Sequence, residues 1–139
     1  MLLCLTIQQG WKTRQVDFTN AFVQSTLKED VYISLPAMFS QKGSDRRDII
    51  LKLKKALYAL KQAPLAFFLH LSAGLKKLGF EPGVNEPGIF YGHGMAIVFW
   101  VDDCLFFGPN EEKINDIIAK LKQDFTLTEE DTQGDVFTF

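Results

Sequence analysis

Two cysteines and two histidines are the only thiol and imidazole ligands that this 139-residue sequence offers. Cys4 and Cys104 lie far apart, and no CxxC spacing occurs. That excludes a zinc pattern and a disulfide framework and makes a reducing compartment the default expectation. Long apolar runs are also missing: the longest, residues 95–101, falls far short of the ~20 residues a membrane helix needs. The apolar start has no basic residue before it and no small-residue cleavage site after it. It reads as the tail of a helix ending at Gly10 rather than a secretion signal. No linker rich in Pro, Gly or Ser divides the chain, and no repeat or low-complexity tract occurs, so a single domain is expected. A surplus of positive charge is absent too, since 15 Lys and Arg face 17 Asp and Glu. Taken whole, that argues against a self-sufficient nucleic-acid binder.

The neutral total hides two opposed blocks. Residues 41–80 carry nine basic and two acidic side chains, net +7, and residues 81–139 carry three basic and twelve acidic, net −9. Such asymmetry suits one face for an anion and another for cations. The composition, 47% hydrophobic with 23% charged, is that of a folded protein.

The hydrophobic pattern predicts strands over residues 11–18, 31–33, 49–53, 89–91, 95–101 and 104–107. Residues 40–48 read as a surface loop, Gly92-His93-Gly94 as a tight turn and Asp102-Asp103 as the next turn. Leu65, Phe68, Leu71, Leu75 and Leu78 recur at helical spacing, with Pro64 in the first turn and Gly79 as the stop. Asn110 is a candidate N-cap for a second helix with the stripe Ile114, Ile117, Ile118, Leu121 and Phe125. Strands interleaved with two amphipathic helices give an α+β or α/β sandwich.

Asp102-Asp103 stands out because two adjacent carboxylates at the tip of an apolar hairpin repel each other unless a cation or water screens them. A solvated turn is the plain reading. A divalent-ion site gains from a second isolated acid, Asp17, at the end of another strand, because magnesium takes oxygen ligands from one or two carboxylates plus substrate phosphates. Phe22 reads from its type as a core residue. Lys52, Lys54, Lys55 and Lys61 read equally as a solvated face or as a phosphate-binding cluster. His93 reads as a turn residue, and His70 has no metal partner in sequence. Lys120 and Lys122 read as solvent-facing, although either could act as an acid toward a leaving group. Glu111, Glu112, Glu129, Glu130 and Asp131 read as solvated acids.

Four motifs in order carry a resemblance. They are Gln15-Val16-Asp17-Phe18-Thr19-Asn20-Ala21-Phe22, then Val31-Tyr32-Ile33, then Leu53-Lys54-Lys55-Ala56-Leu57-Tyr58-Ala59-Leu60-Lys61-Gln62-Ala63-Pro64, then Trp100-Val101-Asp102-Asp103. Together they resemble the copia-type LTR-retrotransposon reverse transcriptases over most of the chain. The resemblance implies an α+β palm with an antiparallel sheet, a catalytic hairpin packed on helices, and part of the fingers, without a thumb. It implies an RNA-directed DNA polymerase in which Asp17, Asp102 and Asp103 are catalytic. Asp17 and Asp102 would hold two Mg2+ ions (Mn2+ as a substitute), and Asp103 would support them. Phe18, Asn20, Ala21 and Phe22 would lie at the incoming dNTP, Phe22 as the bulky residue that rejects a 2′-hydroxyl. Tyr58, Lys61, Gln62 and Pro64 would contact template and nucleotide.

The implied partners are an RNA or DNA template, a DNA primer, dNTPs, and the rest of a Gag-Pol polyprotein with its fingers, thumb, RNase H and integrase. A cytoplasmic, virus-like-particle setting is implied, with no membrane. Several positions depart from the family pattern. Ala59 stands where glycine is usual, Trp100 replaces a tyrosine, Phe67 replaces a tryptophan, and residues 134–139 lack an expected Leu-Gly pair. The departures keep open a catalytically inactive remnant or a domesticated nucleic-acid-binding module. The isolated segment is expected to turn over little or not at all.

Overall fold

Thirteen phenylalanines demand a large apolar interior, and strand alternation decides where it lies. The computed structural model describes residues 2–35 and 49–129. The expected loop at 40–48, the acids Glu130 and Asp131, and the departure at 134–139 lie outside the described residues.

The chain opens with α1 (Leu2–Gln9), which ends at Gly10 as expected, in a left-handed conformation with φ 63°. The Trp11 N–H donates to the Thr6 carbonyl at 2.9 Å and closes the helix end. Strand β1 (Lys12–Asp17) follows, then the one-turn α2 (Ala21–Gln24). Strands β2 (Tyr32–Ser34) and β3 (Ile50–Lys52) pair into a small two-stranded sheet. Helix α3 (Ala63–Lys77) leads to β4 (Glu81–Pro82), β5 (Ile89–Gly92), β6 (Met95–Trp100) and β7 (Asp103–Gly108). Helix α4 (Glu111–Asp124) and the short β8 (Thr128–Glu129) complete the described chain. The larger sheet has the order β4-β5-β6-β7-β1-β8, antiparallel throughout. The fold is therefore α+β.

Register sorts the side chains onto two faces. Ile97 pairs with Phe106, and Cys104 pairs with both Phe99 and Val16, so these residues share one face. Phe67, Leu71, Ile114 and Ile118, from the two long helices, complete that core. Asp17, Trp100 and Asp103 also stand in register, one position out of step, and therefore on the opposite face.

Helix α4 matches its pattern. Asn110 accepts from the Glu112 N–H at 2.8 Å as N-cap, and Ile114, Ile117, Ile118 and Leu121 are buried with Phe125. Helix α3 corrects its pattern. Its buried residues are Ala63, Phe67, Leu71, Gly74 and Leu75, while Leu65 faces solvent and Phe68 and Leu78 are only partly buried. The reason is Gly74: a Cβ there would stand 2.8 Å from the Phe125 ring, so its absence lets α4's aromatic end lie against α3. The Gly79 stop holds, with φ 85° and a bond from the Phe80 N–H to the Leu75 carbonyl at 3.0 Å. His93 is a turn residue, as expected. With Gly94 it forms a two-residue hairpin turn in which both φ are positive, and its Nε2 meets the Leu78 carbonyl at 2.7 Å.

Among the described residues no helix is long and apolar enough to cross a membrane. Cys104 is buried on β7, and burial, with Asp103 beside it, pushes its thiol well above the ordinary range. Cys4 is exposed. A thiol reagent is thus expected to label Cys4 quickly in the native chain and Cys104 only on unfolding. Mass spectrometry of the native and denatured reactions checks it, and equal rates at the two thiols would contradict this packing.

Candidate active site

The sheet brings together acids that are 85 and more positions apart in sequence. Asp17 ends β1 and pairs directly with Asp103, the first residue of β7. The Phe18 N–H donates to the Asp102 carbonyl at 3.0 Å and extends the ladder past the strand end. The turn itself is a correction. It comprises Val101 and Asp102, because Trp100 pairs with Asp103 and the latter already belongs to β7. Val101 takes φ 57°, an uncommon conformation for a β-branched residue. The antiparallel pairing of β7 with β6 and β1 holds it there.

Burial is the first cause that raises the Asp102 carboxyl above the carboxylate range, with Asp17 and then Asp103 adding like-charge repulsion. The nearby Tyr58 side chain opposes the rise. Asp102 Oδ1 is buried with no hydrogen-bond partner. An unpartnered carboxylate oxygen facing a second acid is suited to a hard divalent cation. Among the described residues no group of three or more His, Cys, Asp or Glu side chains forms a ligand set by itself. Asp17 and Asp102 therefore fit an ion that takes its remaining ligands from a phosphate or water.

Tyr58 is the aromatic wall of this site. Its ring lies 4.5 Å from that of Phe22, centroid to centroid, and is near enough to Asp102 and Asp17 to feel their charge. Partial burial, then Asp102 and Asp17, raise its pKa, so the phenol stays protonated. It occupies the second position of a turn over 57–60, closed by the Leu60 N–H on the Leu57 carbonyl at 3.3 Å. The third position is Ala59 with φ 74°, where a type II turn wants glycine. The departure noted in sequence thus has a local cost. Ala59→Gly is expected to stabilise the chain by ~0.5–1 kcal/mol, the usual penalty for a Cβ in that conformation. A denaturant midpoint that falls in the glycine variant would contradict the strain.

Other expected site residues are placed less directly. Phe18 is buried, packed edge-on against Phe67 at 5.3 Å and Phe125 at 5.7 Å, so its ring supports the site from the core and is not free to meet a nucleotide. Phe22 is only 7% exposed, so the bland reading of a packed ring is correct in this conformation. Asn20 is exposed, with φ 52°, and Ala21 opens α2. Among the described residues no hydrogen bond or ion pair joins Lys61, Gln62 or Pro64 to the acids; all three are exposed at the start of α3.

Two lysines of the cluster are engaged, one of them by an acid. Lys52 pairs with Asp30 at 2.7 Å, and Lys55 donates to the Gln24 carbonyl at 3.0 Å. Lys120 pairs with Asp116 at 2.7 Å and Lys122 with Glu129, as solvent-facing residues do. Glu111 is paired with Arg14 of β1. His70 packs edge-on against Phe125 at 4.8 Å, and burial, then Lys55, lowers its pKa.

Sequence reasoning missed Gln24. Its amide donates to the Thr19 and Thr126 carbonyls, both at 2.7 Å, and accepts from the Thr126 N–H at 2.9 Å. It thereby ties the loop after Asp17 to the chain that pairs with Asp17 through Thr128. No local pattern signals this, since Thr126 lies 102 positions away.

Comparison with known proteins follows the same residues. A family model described as reverse transcriptase (RNA-dependent DNA polymerase) matches residues 1–135. The chain is 37% identical over 131 residues to the retrovirus-related Pol polyprotein from transposon RE1 of Arabidopsis thaliana, covering 91% of this chain and 9% of that protein. It is 35% identical over 133 residues to the Pol polyprotein from transposon RE2 of the same plant, covering 93% and 9%. The Pol polyprotein from transposon TNT 1-94 of Nicotiana tabacum is 28% identical over 130 residues, covering 90% and 9%. The chain thus spans about 9% of the length of these relatives.

Proposed function

Because the chain belongs to the reverse transcriptase family, in its copia-type branch, we propose that it is the palm, with part of the fingers, of an RNA-directed DNA polymerase. The observation that carries this is the register of Asp17 against Asp103, with Asp102 in the adjoining turn. In the reaction the primer 3′-oxygen attacks the α-phosphorus of a dNTP. A new P–O bond forms, the bond to the β,γ-diphosphate breaks, and the hydroxyl proton passes to solvent or a nearby base. Two magnesium ions, when bound at Asp17 and Asp102, supply positive charge for the ionising hydroxyl and the departing diphosphate.

The chain's own residues do the positioning. Asp102 is fixed by the Phe18 N–H on its carbonyl and by strained Val101 beside it. Asp103 holds Asp17 through the strand pairing and supports the site from the neighbouring strand. The backbone at Asn20 and Ala21 lies where a triphosphate would run. Phe22, only 7% exposed beside the Tyr58 ring, is the residue that would face the sugar and reject a 2′-hydroxyl. Tyr58, Lys61, Gln62 and Pro64 form the segment toward template and nucleotide. The template, primer and remainder of a Gag-Pol polyprotein are the partners this reading implies, in a cytoplasmic particle.

Joined to the fingers and thumb of a copia-type polymerase, the segment is expected to support magnesium-dependent primer extension on RNA. Asp17→Asn is expected to lose it, and a wild-type segment that extends nothing in that setting would refute the reading. The alternative, a nucleic-acid-binding module without turnover, draws on the +7 block at 41–80. The ion pair of Lys52 with Asp30 reduces the charge free for that role.

A further inference from the structure

Gln24 ends α2, and its side chain is committed to three hydrogen bonds. Nε2 donates to the Thr19 and Thr126 carbonyls, both at 2.7 Å, and Oε1 accepts from the Thr126 N–H at 2.9 Å. Two carbonyls on one side and an N–H on the other fix which end of the amide is which, and they occupy both of its donor hydrogens. The backbone that carries this amide is itself held. The Ser25 N–H and hydroxyl both donate to the Phe22 carbonyl, at 3.1 and 2.8 Å. The Ala56 N–H donates to the Ser25 carbonyl at 3.1 Å, and Lys55 donates to the Gln24 carbonyl at 3.0 Å.

Of the three bonds, the one to Thr19 acts on the loop after Asp17. The Thr19 carbonyl and the Asn20 N–H belong to one trans peptide and point in opposite directions. Clamping the carbonyl therefore aims the N–H away from Gln24 and from the Thr126 segment. Asn20 is exposed, has φ 52° and makes no capping bond with its own side chain, so its neighbours must hold its conformation. We infer that Gln24 is a positioning residue for nucleotide binding, acting through the Thr19–Asn20 peptide to aim the Asn20 N–H at the triphosphate. This deepens the proposed function and rests on its placing of the triphosphate along the backbone at Asn20. Without the clamp the peptide turns more freely, and ordering it must then be met out of the binding free energy. The triphosphate is gripped before and during the reaction alike, so the loss falls on KM rather than on kcat.

The test uses the segment joined to the fingers and thumb of a copia-type polymerase, with wild type, Gln24→Met and Gln24→Glu compared on an RNA template. Methionine matches glutamine in length but carries neither the amide donors nor the carbonyl. Glutamate keeps an acceptor for the Thr126 N–H and loses the donor to Thr19. Single-nucleotide incorporation gives kcat and the dNTP KM, and dNTP binding to a complex on a dideoxy-ended primer, which cannot react, gives Kd. Gln24→Met is expected to raise KM and Kd about tenfold at nearly unchanged kcat, in line with the loss of one hydrogen bond to a charged group. Gln24→Glu is expected to raise them at least as much. Unfolded enzyme lowers the apparent kcat and leaves KM alone, so a fall in kcat at unchanged KM shows a merely structural role and overturns the inference. Unchanged constants in Gln24→Met overturn it as well. A rise in Gln24→Met with none in Gln24→Glu also overturns it, because the tie to Thr126 alone would then suffice. A wild-type assembly that extends nothing refutes the proposed function itself, and this inference with it.

Discussion

Asp102→Asn in an assembled polymerase is expected to remove nucleotide incorporation while making the metal-free protein more stable. Asparagine keeps the size of the side chain and deletes its charge. The Asp102 carbonyl still accepts from Phe18, so the turn geometry survives. What disappears is an anionic ligand and its electrostatic contribution to the reaction. Losing one preorganised group of this kind costs ~10²–10³ in rate, and more where an ion is lost with it. The stability change has the opposite sign. Burial, Asp17 and Asp103 all disfavour the Asp102 carboxylate in the folded chain. Its folded pKa is raised, so its contribution is most favourable at low pH and is lost as pH rises through the carboxylate range. The variant is therefore expected to melt higher than wild type at neutral pH, with the difference shrinking on acidification. Primer extension and thermal melting at two pH values check both halves. An active variant, or one that melts lower at neutral pH, would contradict the site.

Phe67→Ala is the substitution with the largest expected structural effect. Phe67 is fully buried, and its ring lies 5.3 Å from Phe18, 5.8 Å from Phe99, 6.4 Å from Phe125 and 6.5 Å from Phe22. It therefore joins α3 to the strand end at Asp17, to β6, and to the end of α4. Truncation to alanine removes a ring and leaves a cavity, at ~3–5 kcal/mol. Against a total of about 5–15 kcal/mol for a domain, that loss leaves a substantial unfolded fraction. Leu69→Ala, on the exposed side of the same helix, is expected to change stability by less than ~0.5 kcal/mol. Urea midpoints of the two variants separate the core from the helix itself, and equal midpoints would contradict the packing. Since Phe18 connects this cluster to Asp17, the Phe67 variant is also expected to lose Mn2+ binding before it is fully unfolded.

The same helix shows how far sequence pattern reaches. Leu65, Phe68, Leu71, Leu75 and Leu78 form an acceptable stripe, yet the helix turns Leu65 outward and Phe67 inward. The pattern counts apolar residues, but Gly74, which admits Phe125, decides the rotation. Helix α4 had no such competitor. Its single apolar face and the Asn110 cap agree, and the structure follows them. The hairpin before it was legible as a hairpin, but its turn lay one residue earlier than expected. Aspartate is a usual turn residue and valine is not, whereas pairing of Asp103 with both Trp100 and Asp17 overrides that preference.

By itself, the sequence determined the family, the α+β class, the two acidic motifs, and the helix ends at Gly10 and Gly79. These rest on residue type, local spacing and positive-φ geometry, which act over a few residues. Only the tertiary structure decided that Asp17 faces Asp103, that Phe18 belongs to the core, that Gln24 holds Thr126, and that Tyr58 lies over Phe22. Each of these joins segments 36 to 107 positions apart, and the choice among such pairings is made by strand register and by which rings can share one interior.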